Sequence, residues 1–112
     1  IDEDFPQLVL GQGYDHNWAL NTAFGQVEKI AQVEDEEAGR TMEVWSDLPG
    51  VQFYTGNCIT PQIGKGGAHY NRRCALCLET QYFPDSIHHP EFRQPVFEAG
   101  QPYHSITIYK FR

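Results

Sequence analysis

Alternation of apolar and polar residues along the chain predicts β-strands. In residues 41–46, Met42 and Val44 face one way, while Thr41, Glu43 and Trp45 face the other. The same alternation, with many β-branched and aromatic residues, runs through 51–57, 74–81 and 104–111. A period of two residues is that of a strand with one face turned toward a core. We therefore predict strands over these four segments.

The segments between these strands predict turns and loops. The acidic run at 34–39 ends in a glycine and is predicted to be the exposed turn of a hairpin between strands at 27–33 and 41–46. Residues 60–73 predict a long exposed loop, and four prolines in 83–103 exclude a helix there. With no helix pattern of convincing length, the predicted fold class is all-β, in the form of a sandwich made by residues 1–112 as part of a single domain.

Composition excludes several classes of protein. The 112 residues carry 15 acidic and 8 Lys and Arg side chains, a formal net charge of −7, which argues against a nucleic acid or an anionic membrane as partner. No apolar stretch approaches the roughly 20 residues that cross a bilayer. Three cysteines do not make a disulfide scaffold, so we expect reduced thiols and a cytoplasmic location.

Glu79 is the first candidate for chemistry. Alternation over 74–81 places Leu76 and Leu78 on one face and Ala75, Cys77, Glu79 and Gln81 on the other. A glutamate among small neighbours in the middle of a strand leaves room for a ligand above its carboxylate. The alternative is a half-exposed strand glutamate whose charge is simply solvated.

Asp15 and Gln52 are the next candidates. Asp15 lies in the segment Gly-Tyr-Asp-His-Asn-Trp (13–18), whose polar residues can hold hydroxyl groups beside aromatic rings that suit a sugar. The alternative there is an Asx-type turn with Trp18 anchored in a core. Gln52 lies on the polar face of its predicted strand beside Tyr54, which is a weak signal by itself.

No motif predicts a metal site or a cofactor site. Cys74 and Cys77, three residues apart on one predicted strand, would point to opposite faces, which is unsuitable for chelating one ion. His88 and His89 are expected to be a solvated loop pair. The glycines at 64–67 lack the strand-to-helix context that a phosphate-binding loop requires.

Four segments together resemble the C-terminal part of the aldose 1-epimerase (galactose mutarotase) family. They occur in the family's order and at about its spacing across nearly the whole chain: Gly-Tyr-Asp-His-Asn (13–17), Leu-Pro-Gly-Val-Gln-Phe-Tyr-Thr-Gly-Asn (48–57), Cys-Leu-Glu-Thr-Gln-Tyr-Phe-Pro-Asp-Ser (77–86) and Tyr-His-Ser-Ile-Thr-Ile-Tyr-Lys-Phe (103–111). The resemblance implies a β-supersandwich, considerably longer than this chain, that interconverts the α and β anomers of free hexoses such as galactose and glucose.

The resemblance also implies roles for individual residues. Glu79 matches the general base that removes the proton from the C1 hydroxyl, Asp15 matches the acidic residue that holds sugar hydroxyls, and Gln52 falls in a segment at the sugar. No metal or organic cofactor is implied, because the reaction needs only proton transfers and a bond rotation. The family's general-acid histidine lies in an earlier segment, as do its second histidine and its sugar-binding arginine, so His16, Arg72 and Arg73 are not expected to replace them.

Alternatives and partners remain open from the sequence. The chain could belong to a non-catalytic carbohydrate-binding module that uses Asp15 and Gln52, or to a glycosidase that uses Asp15 and Glu79 as its carboxylate pair. A sandwich that lacks strands leaves apolar faces uncovered. We therefore expect the chain to be ordered only when it is covered by the N-terminal part of the same protein or by a second copy.

Overall fold

A computed structural model describes residues 5–112 and shows a chain made mostly of strands. In chain order the strands are β1 (Asp15–Ala19), β2 (Glu28–Asp35), β3 (Arg40–Ser46), β4 (Gly50–Tyr54), β5 (Gln62–Ile63), β6 (His69–Tyr70), β7 (Cys77–Gln81) and β8 (Thr107–Phe111). One short α-helix, α1 (Pro6–Gly11), precedes them, and 3₁₀ turns occupy Lys65–Gly67 and Ser86–His88. The predicted all-β fold class is confirmed.

The strands form three sheets. The first has the order β1-β4-β7, the second β2-β3-β8, and the third consists of β5 and β6 alone. By contact, the chain divides into two compact units, one formed by the chain up to Asn17 together with Gln52–Glu79, the other by Trp18–Val51 and Thr80–Arg112. The three candidate residues Asp15, Gln52 and Glu79 all fall in the first unit.

The predicted hairpin in the second unit is confirmed. β2 and β3 pair antiparallel from Glu28 opposite Ser46 to Asp35 opposite Arg40, with a bulge between Lys29 and Ala31. The acidic segment between them is an exposed turn, in which the amide of Ala38 donates to the Asp35 carboxylate at 3.0 Å. β8 pairs antiparallel with the other edge of β3, so Val44 on the central strand is fully buried.

Glu43 is a buried carboxylate on the same central strand. Its side chain is only 11% exposed and is approached by Lys29 at 3.8 Å, Lys110 at 3.9 Å and Arg112 at 3.8 Å. Three cations around one carboxylate compensate the desolvation that burial imposes on it. The alternation that predicted Val44 on one face and Glu43 on the other is correct, but both faces at this strand are covered.

Several local predictions need correction. The strands predicted over 51–57 and 104–111 occupy only Gly50–Tyr54 and Thr107–Phe111. Strand β7 begins at Cys77, so Cys74, Ala75 and Leu76 precede it as irregular backbone. The predicted loop at 60–73 contains the β5–β6 hairpin, although nearly all its residues are exposed. Helix α1 was not predicted, because six residues beginning with a proline are too short to show a helical period.

Several apolar side chains are exposed to solvent within the described part of the chain. The exposed fraction is 51% for Trp18, 39% for Leu76, 37% for Ile106 and 46% for Ile108. Trp18 is therefore not the core anchor that one interpretation of its segment expected. The buried hydrophobic residues of the described chain are Leu8, Val44, Leu48 and Val51. Phe53 and Leu78, by contrast, are half-buried. That another part of the protein or a second copy covers the exposed side chains stays a prediction.

No helix in the described part of the chain is both long and apolar enough to cross a membrane.

Candidate functional site

The approach to Asp15 is built by helix α1 and the turn that ends it. Pro6 opens the helix, and Leu8 anchors it with only 5% of its surface exposed. Gln12 adopts the left-handed conformation at φ 55°, and the amide of Gly13 donates to the Leu8 carbonyl at 2.8 Å. This is the usual closure of a helix by a left-handed residue. The chain then turns at Gly13, with φ 132°, and enters β1 at Asp15.

The residue before Asp15 is held by two buried polar side chains that follow β4. The Tyr14 amide donates to the Thr55 hydroxyl at 3.1 Å, and the Tyr14 carbonyl accepts from the Asn57 amide group at 2.8 Å. The exposed fraction is 2% for Thr55 and 5% for Asn57. Sequence reasoning missed both residues, although a threonine and an asparagine flanking a glycine directly after a strand could have indicated a turn that bonds to its neighbour.

Asp15 and Gln52 are in direct contact. The Gln52 side-chain amide donates to Asp15 Oδ1 at 2.8 Å, across 37 residues of sequence. A hydrogen bond to a carboxylate is stronger than one between neutral groups and fixes both side chains. Tyr14, directly before β1, and Phe53 on β4 pack with ring centroids 5.2 Å apart. Successive side chains on a strand alternate in direction, so the polar pair and the aromatic pair occupy opposite faces.

Glu79 lies on β7, the neighbour of β4 on the side away from β1. Adjacent strands are about 4.8 Å apart, so the backbones of β1 and β7 are separated by about 10 Å across the sheet. The Glu79 side chain is exposed, and within residues 5–112 its carboxylate makes no hydrogen bond or ion pair. The structure thus places the exposed Glu79 carboxylate on the same three-stranded sheet as the Asp15–Gln52 pair.

The neighbouring side chains of His16, Arg72 and Arg73 make hydrogen bonds within the chain. His16 Nδ1 accepts the Asp15 backbone amide at 3.0 Å, so this histidine caps its own turn. The guanidinium groups of Arg72 and Arg73 each donate to the Gln12 carbonyl at 2.9 Å. Two cations on one carbonyl tie the loop before β7 to the end of α1.

The structure changes the reasoning about whether the cysteine and histidine pairs could hold a metal ion. Cys74 lies outside β7, so the prediction that Cys74 and Cys77 point to opposite faces of one strand was wrong in its premise. Both thiols are free and exposed, as is Cys58. His88 and His89 are exposed and paired with Asp85, and His89 also contacts Glu91 at 3.2 Å. Across the described residues no three His, Cys, Asp or Glu side chains are arranged to hold a metal ion.

Comparison with known proteins identifies what the chain is similar to. It is 41% identical to the galactose mutarotase of Mus musculus over 100 residues, and 41% identical to that of Homo sapiens over 102 residues. It is also 35% identical to the aldose 1-epimerase of Escherichia coli over 103 residues. These matches cover 88% of this chain for the two mammalian proteins and 89% for the bacterial one.

The chain spans only part of these relatives. It covers 29% of the length of the mouse and human proteins and 30% of the bacterial one. A sequence model of the family described as aldose 1-epimerase matches residues 1–110. That match takes in the Asp15 turn, the Gln52 strand and the Glu79 strand together, and the chain belongs to the aldose 1-epimerase family.

Proposed function

We propose that the complete protein containing this chain is an aldose 1-epimerase that interconverts the α and β anomers of free hexoses such as galactose and glucose. In this proposal Glu79 is the general base, and Asp15 and Gln52 hold the sugar. The observation that carries it is the coexistence, on one sheet, of a bonded carboxylate–amide pair at Asp15 and Gln52 with an exposed, unpaired carboxylate at Glu79. The similarity to a galactose mutarotase and to an aldose 1-epimerase supports the reaction class.

The chemistry of the two carboxylates differs because their partners differ. A general base must have a lone pair free to accept a proton within hydrogen-bond reach of the substrate. Within the described residues Glu79 has both oxygens free, whereas one Asp15 oxygen is already occupied by Gln52. Asp15 retains its second oxygen for a sugar hydroxyl, and Gln52 holds the direction of the Asp15 carboxylate. These properties support Glu79 as the base and the Asp15–Gln52 pair as the holder of the sugar.

The reaction in this proposal begins with transfer of the C1 hydroxyl proton to the Glu79 carboxylate. The electron pair left on that oxygen forms the aldehyde C=O bond, the bond from C1 to the ring oxygen breaks, and the ring oxygen takes a proton from a general acid. Rotation about C1–C2 and the reverse proton transfers close the other anomer, so atoms and charge balance without a redox partner. The acid is proposed to be a histidine supplied by the part of the protein outside these 112 residues.

We further propose that the same outside part, or a second copy of the chain, covers the exposed apolar side chains. Strand β8 is exposed along its whole length, with Phe111 71% exposed. Exposed apolar residues of this kind favour association when nothing covers them. Size-exclusion chromatography of the isolated 112-residue chain should show an associated or unfolded species, and a compact stable monomer would contradict the proposal.

Polarimetry of the complete protein on freshly dissolved α-D-galactose tests the function. The rotation should relax to its equilibrium value faster than in buffer, in proportion to protein concentration. Calorimetric binding of galactose without any acceleration would instead favour a carbohydrate-binding module of the same fold. Release of the aryl group from an aryl galactoside would favour a glycosidase that uses Asp15 and Glu79 as its carboxylate pair, and either result would reject the epimerase proposal.

A further inference from the structure

We infer that Thr55 and Asn57 are positioning residues that set the place of the Asp15 carboxylate, and through it the affinity of the site for the hexose. This inference rests on the proposed function. It assigns to two buried polar residues a role in sugar binding although neither is exposed enough to touch the sugar: the exposed fraction is 2% for Thr55 and 5% for Asn57.

The two side chains hold both ends of the Tyr14 residue. The Tyr14 amide donates to Thr55 Oγ1 at 3.1 Å. The Tyr14 carbonyl accepts from Asn57 Nδ2 at 2.8 Å and from the Thr55 amide at 3.1 Å. The carbonyl oxygen has two lone pairs, and these two donors use both. The backbone immediately before Asp15 is therefore fully bonded on both its donor and its acceptor.

A further hydrogen bond joins the two side chains and fixes their direction. Thr55 Oγ1 lies 2.9 Å from Asn57 Oδ1 and 3.3 Å from the Tyr14 carbonyl. The carboxamide oxygen of Asn57 carries no proton, so the hydroxyl donates to it at the shorter distance. Asn57 then presents Nδ2 toward Tyr14, and the second Nδ2 contact, to the Gly11 carbonyl, is 3.5 Å long. The result is a closed ring from Tyr14 through Thr55 and Asn57 back to Tyr14.

The close approach of Gly13 shows how tightly Asn57 is seated. A Cβ placed on Gly13 would lie 2.2 Å from Asn57 Oδ1 and 2.8 Å from Asn57 Cγ. Only a glycine allows the asparagine to reach the Tyr14 carbonyl from this side. Helix α1 ends directly before this turn, so its end, the turn and the start of β1 are joined at one buried polar cluster.

Asp15 is the residue that depends on this cluster. It is the first residue of β1 and its side chain is exposed, so local packing does little to hold it. The hydrogen bond from Gln52 to the Asp15 carboxylate is 2.8 Å long, so it requires the start of β1 to keep its position relative to β4. Loss of the Thr55 hydroxyl would leave the Tyr14 amide without its side-chain acceptor and allow the start of β1 to shift. Displacements of about 1 Å in a binding group are enough to weaken its action substantially.

The test uses the complete protein and compares Thr55→Val with Thr55→Ser. Valine keeps the shape and removes the hydroxyl, while serine restores the hydroxyl. We expect Thr55→Val to raise the KM for galactose about tenfold with a smaller change in kcat, and Thr55→Ser to recover most of that loss. Ser46→Ala is the matched control, since Ser46 is 0% exposed and accepts the Leu48 amide at 3.2 Å, yet lies in the other unit.

A second measurement separates positioning from a purely structural role. Thr55→Val and Ser46→Ala should both lower the urea midpoint, but only Thr55→Val should raise KM. In an Asp15→Asn background, Thr55→Val should raise KM by less than about twofold, because the group it acts through is already impaired. An unchanged KM in Thr55→Val, or the same tenfold rise with and without Asp15, would overturn the inference. A wild-type protein that neither binds nor turns over hexose would reject the proposed function, and the inference with it.

Discussion

Replacing Gly13 with alanine should damage both the stability and the sugar affinity of the complete protein. Gly13 has φ 132°, a conformation that residues with a Cβ rarely adopt. The new methyl group would also meet Asn57 Oδ1 at 2.2 Å, so Asn57 would have to leave its hydrogen bonds to Thr55 and Tyr14. Asn57 is buried, so its displaced polar groups would not be fully solvated.

The magnitude follows from these two costs. Backbone strain at a positive φ costs about 1–3 kcal/mol. Loss of hydrogen bonds by a buried amide costs about 1–3 kcal/mol more. The free energy of unfolding should therefore fall by about 2–6 kcal/mol, a large fraction of the stability of a typical domain.

Urea denaturation of the complete protein measures this change, with Gly25→Ala as the control. Gly25 also has a positive φ, 83°, but among the described residues a Cβ there would meet nothing within 4 Å. The control should bear only the strain of about 1–2 kcal/mol, and its KM for galactose should stay at the wild-type value. Equal losses of stability in the two variants would refute the claim that Asn57 is tightly seated against Gly13. An unchanged KM in Gly13→Ala would refute its connection to Asp15.

Two further predictions concern charge. Gln52→Glu would place a second carboxylate at 2.8 Å from Asp15 Oδ1. At pH 7 the two ionised groups should repel each other and raise the KM for galactose, whereas toward pH 5 the pair should share one proton and the KM should recover. Steady-state polarimetry across pH measures this, and a pH-independent KM would contradict the pairing. The pKa of Glu91 is lowered by a hydrogen bond from its own backbone amide and then by the His89 side chain. The ionised Glu91 side chain therefore stabilises the fold above the ordinary glutamate pKa of about 4.3, and this stabilisation is lost as pH falls through the lowered pKa. Glu91→Gln should therefore reduce the urea midpoint at pH 7 and match the wild type near pH 2, and an equal deficit at both pH values would show that the charge is not involved.

The sequence predicted the parts of the fold that depend on local pattern. Alternation places Val44 and Glu43 on opposite faces of β3, and the acidic segment ending at Gly39 closes the β2–β3 hairpin, as found. The start of β7 was predicted three residues too early because Cys74, Ala75 and Leu76 continue the alternation, whereas the backbone there is tied elsewhere: the amide of Arg73 donates to the Gly56 carbonyl at 3.0 Å. Pattern does not record such long-range backbone bonds.

In the candidate site, too, the residue types could be predicted from the sequence, whereas the long-range contacts could not. Asp15, Gln52 and Glu79 were named from residue type, position and family resemblance, and their roles remain predictions. The contact between Asp15 and Gln52 could not be derived, because it joins residues 37 apart and depends on β1 pairing beside β4. Thr55 and Asn57 were missed because strand alternation treats a buried threonine as one more apolar position and does not show what its hydroxyl bonds.

The most direct test of the central claim is polarimetry on α-D-galactose with the complete protein carrying Glu79→Gln. Glutamine keeps the shape of the side chain but cannot accept the C1 hydroxyl proton. Glu37→Gln, on the exposed turn of the β2–β3 hairpin, is the matched control for loss of one negative charge. Glu79→Gln should lower kcat by about 10²–10⁴-fold while Glu37→Gln keeps the wild-type rate. Near-normal turnover in Glu79→Gln would contradict the assignment of Glu79 as the general base.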